Sequence, residues 1–512
     1  MELDAQKKVV KDVVDDAGNL HRHVTHHYSS GACYVGEWVN KKRAGRGVMY
    51  YSDGNRYVGE FFEGRRQGYG VLETVKNERF EGPFEAGLPS GSDSSYKNPN
   101  GESYVGDMRR GQRHGVGKCT YSSGDTYEGS WESDKWGGGS GTLLKHNGDQ
   151  YEGGMKGGRF CGRGKYSWAR HRGGGWYEGQ FHRGRRHGTG LRRFANGDCY
   201  EGEYSHDQMQ GHGALWRETG DIYVGQLKQS RYHGVGEMQY ANGEKYEGQW
   251  CEGVPRGKGR RTYPDGSYYA GEYLAMRHGN AKRSKTEREA LFPKLDGMPH
   301  GTGVRVWSDG SKFEGDWAGG KREGTGTFHW ANGDVYEGAF HLDCKAGAGV
   351  ARFSPATCPV GAHINATSLV KASDGDGGAA AAADGADDWG THCCVYTGDW
   401  RGDLFEGAGT IVCATGYRYS GQWRRGKPHG EGEYMLGPVE RRGDVYRPIR
   451  YSGKWEDGVF HGKGQLEAGD GTQHEGNFAN GRIVGPGTYV FPSGKRRDCV
   501  FDMFGRRESW LD

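Results

Sequence analysis

The sequence predicts an all-β protein, an extended single-layer antiparallel sheet of tandem β-hairpins shaped as a rod or ribbon. Three observations predict it. Glycine supplies 96 of 512 residues, well above ordinary usage. The chain also carries 15 Trp, 31 Tyr and 18 Phe, although its hydrophobic set reaches only 33% and its mean hydropathy is −0.91. Disordered chains of such low hydrophobicity are poor in aromatics, so these rings point to order without a thick core. The third observation is that glycines and aromatics recur in a fixed phase.

The recurring unit reads Tyr-x-Gly-x-Trp/Phe-x-x-Gly-x-x-x-Gly-x-Gly, followed by a later aromatic and an Asn/Asp-Gly pair. Seventeen copies begin at Tyr34, Tyr57, Phe80, Tyr104, Tyr127, Tyr151, Tyr177, Tyr200, Tyr223, Tyr246, Tyr269, Phe313, Tyr336, Tyr396, Tyr419, Tyr451 and His474. Ten of the sixteen spacings are 23 residues, which marks a structural module. Spacings of 44, 60 and 32 hold insertions. With 14 prolines and no glycine at every third position, collagen is excluded.

In the copy from Tyr246, alternation puts Tyr246, Gly248 and Trp250 on one face, two rings beside a glycine that leaves room for a ring to lie across it. The glycines from Gly253 to Gly259 predict a turn, a second strand runs to Tyr263, and Asp265-Gly266 predicts a tight connection with positive φ. One such hairpin is not stable alone. Stacked side by side, hairpins overlap their aromatic stripes, and seventeen of them extend on the order of 160 Å at two strand spacings each. Tyr57, Tyr177, Tyr246, Trp250, Trp317, Tyr336, Trp400, Trp423 and Trp455 are expected to form that stripe.

This pattern closely resembles the MORN (membrane occupation and recognition nexus) repeat family, from Tyr34 to about Gly494. Copies such as Tyr177 to Gly190 and Tyr246 to Gly259 match well. Two depart: from Phe80, where Asp93 replaces the final glycine, and at His474, which lacks the leading aromatic. Distortion is expected at both. The resemblance implies a non-enzymatic scaffold or linker for protein–protein interaction in a cytoskeletal assembly. Its settings are the axoneme of a cilium or flagellum, including radial spoke heads, or the membrane skeleton of a cell cortex. Implied partners are cytoskeletal or axonemal proteins and a second copy of the chain, and the alternative is peripheral binding to anionic phospholipid.

Outside the repeats, residues 1–33 are read as a short helix, from the spacing of Val9, Val10, Val13 and Val14, then a solvated linker with His21, His23, His26 and His27. Repeats 1–11 occupy 34–281, a basic helical insertion 282–296, the remainder of repeat 11 to repeat 13 297–353, a flexible Ala/Gly/Asp-rich insertion 354–395, and repeats 14–17 396–494. Residues 495–512 form a cap with Phe501 and Trp510. The Asp-Gly run from Asp374 lacks the twelfth-position Glu of an EF-hand.

With 69 basic and 66 acidic residues, no bulk charge drives the chain onto nucleic acid or membrane, so an electrostatic partner must meet a local pattern. Counting the leading aromatic as position 1, positions 9 and 10 are often basic: Arg65, Arg66, Arg185, Arg186, Lys321 and Arg322, with Lys427 at one of them and Arg109, Arg110, Arg424 and Arg425 nearby. They predict a basic rim along the hairpin turns, able to hold anionic partners by avidity. Position 2 predicts an acidic row, including Glu81, Glu128, Glu178, Glu247 and Glu337. Six histidines at position 11, His114, His187, His233, His300, His429 and His461, are read as turn residues, because equivalent sites in adjacent hairpins lie about 10 Å apart while zinc ligands sit about 2 Å from their ion.

No phosphate loop, nucleophile elbow or kinase signature accompanies the array, so no enzyme activity, cofactor, metal or nucleic-acid partner is expected. Eleven cysteines without C-x-x-C spacing suit a reduced chain. A start without signal-peptide character and the lack of any 18-residue apolar run predict a soluble cytoplasmic location, which the family resemblance narrows to the cytoskeleton.

Overall fold

The computed structural model describes residues 8–14, 18, 20–275, 297–357, 359, 393–437, 439–441, 444–446, 449–503 and 505–511. They fall into two units, Met1–Ala241 and Asn242–Asp512.

The repeat from Tyr246 shows why these residues form a hairpin. Strands Lys245–Cys251 and Val254–Thr262 pair antiparallel, with Cys251 opposite Val254. Two residues, Glu252 (φ 54°) and Gly253 (φ 90°), make the turn between them, and positive φ at both is the type I′ signature that matches strand twist. The turn is thus tighter and earlier than the glycine run suggested. Gly257 (φ 81°) instead lies inside the second strand, in a bulge where Gln249 faces residues 256–258. The bulge frees the Lys258 amide, which donates to Gln249 Oε1 at 3.0 Å. Asp107 receives the Val116 amide, Glu203 the His212 amide and Asp316 the Thr325 amide in the same way, each at 2.9 Å. At the connection to the next repeat, the Gly266 amide donates to Tyr263 O at 3.0 Å, and only the glycine of the Asp-Gly pair takes positive φ.

The two remaining glycines make room for a ring. Gly248 and Gly259 face each other across the strands, and Tyr246 lies over both. A Cβ on Gly259 would sit 2.4 Å from Tyr246 Oη. That hydroxyl donates to Gln249 O at 2.9 Å, closing the ring onto its own strand. Fourteen leading tyrosines, from Tyr34 to Tyr451, make this bond. Tyr246 also meets Trp250 of its own repeat edge-on at 5.0 Å and Tyr273 of the next at 5.2 Å. Each such pair contributes about 0.5–1.5 kcal/mol beyond simple burial, so neighbouring repeats are zipped through their rings. The predicted stripe residues Tyr57, Tyr177, Tyr246, Trp250, Trp317, Tyr336, Trp400, Trp423 and Trp455 are all buried in it.

In the first unit, strands pair antiparallel in chain order from Lys8–Val14 to Arg231–Gln239, except that Arg79–Glu85 pairs with both Leu88–Pro89 and Gly91–Lys97. In the second, the same meander runs from Lys245–Cys251 to Arg507–Trp510, with a small separate ribbon of Val439–Arg441 against Asp444–Tyr446. All seventeen repeats form hairpins. The basic insertion 282–296 and most of the Ala/Gly/Asp-rich insertion, including its Asp-Gly run, lie outside the described residues.

Two expectations are corrected. Lys8–Val14 is a strand rather than a helix, paired with Leu20–His27, which pairs in turn with Cys33–Val39, so the histidine segment is sheet rather than linker. The four valines are β-branched and favour a pleated surface, and the first repeat offers an open edge to pair with. Cysteine is the second correction: Cys394 and Cys413 form a disulfide. They are directly cross-strand partners, a pairing that strand register creates and spacing along the chain does not show.

Both departures from the pattern have a structural counterpart. In the Phe80 repeat, Asp93 takes φ 58°, the fully buried Ser94 replaces glycine opposite Gly82, and the leading ring lacks a hydroxyl. His474 packs against Tyr489 at 4.8 Å, and burial lowers its pKa.

Candidate interaction surface

Alternation along each strand gives the sheet two unlike faces. Positions 1 and 5 bury their rings on one face. The other, open face carries positions 2, 4, 13 and 15, and the hairpin turns run along its border.

The predicted basic rim divides in two. Position 10 does not face outward. Arg66 lies 5.2 Å over the Phe84 ring and donates to Gly87 O at 2.7 Å. Arg186 lies 5.3 Å over Tyr204 and donates from Nε to Asp207 Oδ1 at 3.1 Å and from Nη2 to Asp207 O at 2.9 Å. Arg322 lies 5.2 Å over Phe340 and donates to Asp343 O at 2.6 Å. These three guanidiniums lock one repeat onto the turn of the next, so they leave the rim. In other repeats position 10 is Phe160, Tyr232, Phe405 or Phe460, stacked 3.8–3.9 Å on the leading tyrosine. A plane suited to covering a ring is what these residues share with arginine.

Arg65, Arg185, Lys321 and Lys427, at position 9, are exposed. So are Arg109, Arg110, Arg424 and Arg425, of which Arg110 and Arg425 are turn residues with φ 51° and 49°. Arg424 pairs with Asp457 at 3.3 Å. The structure therefore keeps eight of the predicted cations at the border and withdraws three.

The acidic row lies on the open face but is largely met by its neighbours. Glu128 pairs with Lys118 at 3.1 Å, Glu178 with Lys165 at 3.5 Å, Glu247 with Lys245 at 2.6 Å and Glu81 with Arg79 at 2.9 Å. Such exposed pairs contribute about 0–1 kcal/mol each. In repeats 1 and 2 the row turns apolar, with Val35, Val48, Val58 and Val71 in cross-strand sequence, and Tyr50 and Tyr69 exposed beside them.

Of the position-11 histidines, His187 and His461 are exposed, and the His187 ring lies 5.7 Å from both His182 and His206. Among the described residues no group of three or more His, Cys, Asp or Glu side chains is placed to hold a metal ion. Burial raises the phenol pKa values of the ring stripe, as at Tyr177 and Tyr336, both pushed up to about 12. These groups stay neutral and serve packing.

The chain has local likeness to the TCP domain of Drosophila melanogaster SAS-4 in complex with a proline-rich motif of Ana2, at 16% identity over 34% of this chain and 85% of that one, with a TM-score of 0.20. It is also similar to the TCP10 domain of Danio rerio CPAP in complex with a STIL peptide, at 10% identity over 64% and 97%, with a TM-score of 0.12. A streptogramin B lyase gives 13% identity over 60% and 89%, with a TM-score of 0.10. No curated protein matches. The MORN repeat model matches fourteen segments: 34–56, 57–77, 104–126, 151–171, 177–199, 200–222, 223–245, 246–268, 295–312, 313–335, 396–416, 419–436, 451–473 and 474–496. The copies from Phe80, Tyr127 and Tyr336 complete the series as antiparallel hairpins. With more than half of its residues matched in phase, the chain belongs to the MORN repeat family, a family of repeat scaffolds for protein or membrane interaction.

Proposed function

We propose that this protein is a non-enzymatic structural scaffold that uses its repeat sheet to hold partner proteins in a cytoskeletal assembly, at a ciliary or flagellar axoneme or at the cell cortex. One observation carries the reading. The ring face packs against itself from repeat to repeat, which leaves the open face and its border of turns to vary without cost to the fold. A surface assembled in this way offers many separate weak contacts, and these add by avidity. The test is a fluorescent fusion followed by detergent extraction. Retention with the detergent-resistant cytoskeleton is expected, and a diffuse, fully extracted signal overturns the proposal.

A second reading, peripheral attachment to anionic phospholipid, is favoured by Phe62 and Leu88, which are 66% and 47% exposed near the turns, and by Arg65 beside them. Co-sedimentation with anionic vesicles that is lost in F62S/L88S would support this reading over the first.

A further inference from the structure

Positive charge is unevenly spread along the chain. Residues 156–193 hold eleven lysines and arginines against one acid, Glu178, whereas the whole chain is nearly balanced. The structure sorts these cations. Arg186 is committed to Asp207, Lys165 pairs with Glu178 at 3.5 Å, Arg172 pairs with Asp149 at 3.1 Å, and Arg192 lies 4.3 Å over Trp168. Arg170 and Arg193, at the connection end of these strands, are exposed without an ion pair among the described residues, and so are Lys156, Arg159, Arg163, Arg183 and Arg185.

These five lie together at the turn end of two adjacent repeats. Lys156 is the cross-strand partner of Arg159, Arg163 of Gln180, and Arg185 of His182. The Gly184 amide donates to Phe160 O at 2.9 Å, which holds the Arg183-Gly184 turn against the strand that carries Arg159. His182 and His187 border the same ground. The flanking repeats break the pattern, with Glu132 and Lys135 on one side and Ser205 and Gln208 on the other.

We propose that this open-face border of the repeats from Tyr151 and Tyr177 is a docking site for an acidic, carboxylate-rich peptide segment of a partner protein. The inference rests on the scaffold reading and names the chemistry of one partner. Guanidiniums suit carboxylates because their forked donors match both oxygens. No large apolar side chain is exposed between Leu144 and Trp216, so the site has no wedge for a bilayer. Two hairpins span about 20 Å, the reach of about six extended residues, so a short acidic run meets all five cations at once.

The test uses the full chain and a fluorescein-labelled ten-residue polyglutamate peptide, followed by anisotropy at about 50 mM salt, where screening is weak. Saturable binding is expected, weakened at least tenfold in R159Q/R163Q/R183Q/R185Q. It should change less than twofold in R256Q/K258Q/R401Q/R418Q, which removes four exposed cations of the second unit. The lysine variant R159K/R163K/R183K/R185K keeps the charge and should stay within about fivefold of wild type. Equal loss in the lysine and glutamine variants overturns the proposal, as does unchanged binding in the glutamine variant. Binding to phosphatidylserine vesicles or to a single-stranded DNA 20-mer that is tighter than to the peptide and is lost in R159Q/R163Q/R183Q/R185Q also overturns it. Detergent retention separates the two readings. A retained protein that ignores the peptide sinks this inference and leaves the scaffold, and a peptide-binding protein that extracts fully does the reverse.

Discussion

The two faces of the sheet are built from alternate residues of the same strands, yet they obey different constraints. On the ring face, position 1 is tyrosine in fourteen of the seventeen repeats, and each tyrosine hydroxyl bonds to its own strand. On the open face, the row at positions 2 and 15 changes from Val35-Val48-Val58-Val71 to paired Lys165 and Glu178 within one unit. The ring face must interlock with a copy of itself on each side, so one pattern serves every repeat. The open face meets solvent or partners and carries whatever they require.

Alkaline titration should break the contrast most completely. The buried phenols have folded pKa values above their ordinary value because desolvation penalises the phenolate, as at Tyr177 and Tyr336. Their contribution is fully present below about pH 10 and is lost as pH rises toward about 12, since the unfolded chain releases those protons first. Urea midpoints should therefore hold up to about pH 10 and fall steeply above it. A flat profile would mean that the rings are not buried.

A single added side chain on the ring face comes next. Gly259→Val places atoms where Tyr246 lies, with the new Cβ 2.4 Å from Oη, and should cost about 3 kcal/mol, at the upper end of overpacking. Lys258→Ala, one residue away and exposed, should stay within about 0.5 kcal/mol. Hydrogen exchange across this repeat would read both.

The adjacent arginines sharpen the comparison. Arg186→Ala removes a ring contact and the bonds to Asp207, and a loss of about 1–2 kcal/mol is expected in denaturant melts. Arg185→Ala should be neutral to stability and weaken only anionic binding. Equal effects would erase the distinction between lock and rim. The smallest change is expected for Glu128→Ala, which breaks an exposed pair with Lys118 and should shift stability by less than about 0.5 kcal/mol, an effect that high salt removes.

Hairpins, ring stripe and repeat count were legible in the sequence because each depends on residues that recur in phase. The division of labour among glycines was not. Gly253, Gly257 and Gly259 look alike in one dimension, but one makes a turn, one a bulge and one a cradle for a ring. Arg185 and Arg186 are likewise indistinguishable as letters. Only the pleat turns one outward and the other over Tyr204. The valines at the start of the chain match a helical period, and their strand arises from the open edge they join.

By itself the sequence determined a series of seventeen ring-and-glycine hairpins, because a period near 23 residues leaves room for one pair of strands and two turns. The tertiary structure decided which charges remain available. Whether a cation is spent on a ring, a turn carbonyl or a neighbouring carboxylate depends on the residue across the strand, and strand register brings together residues that the linear chain keeps apart.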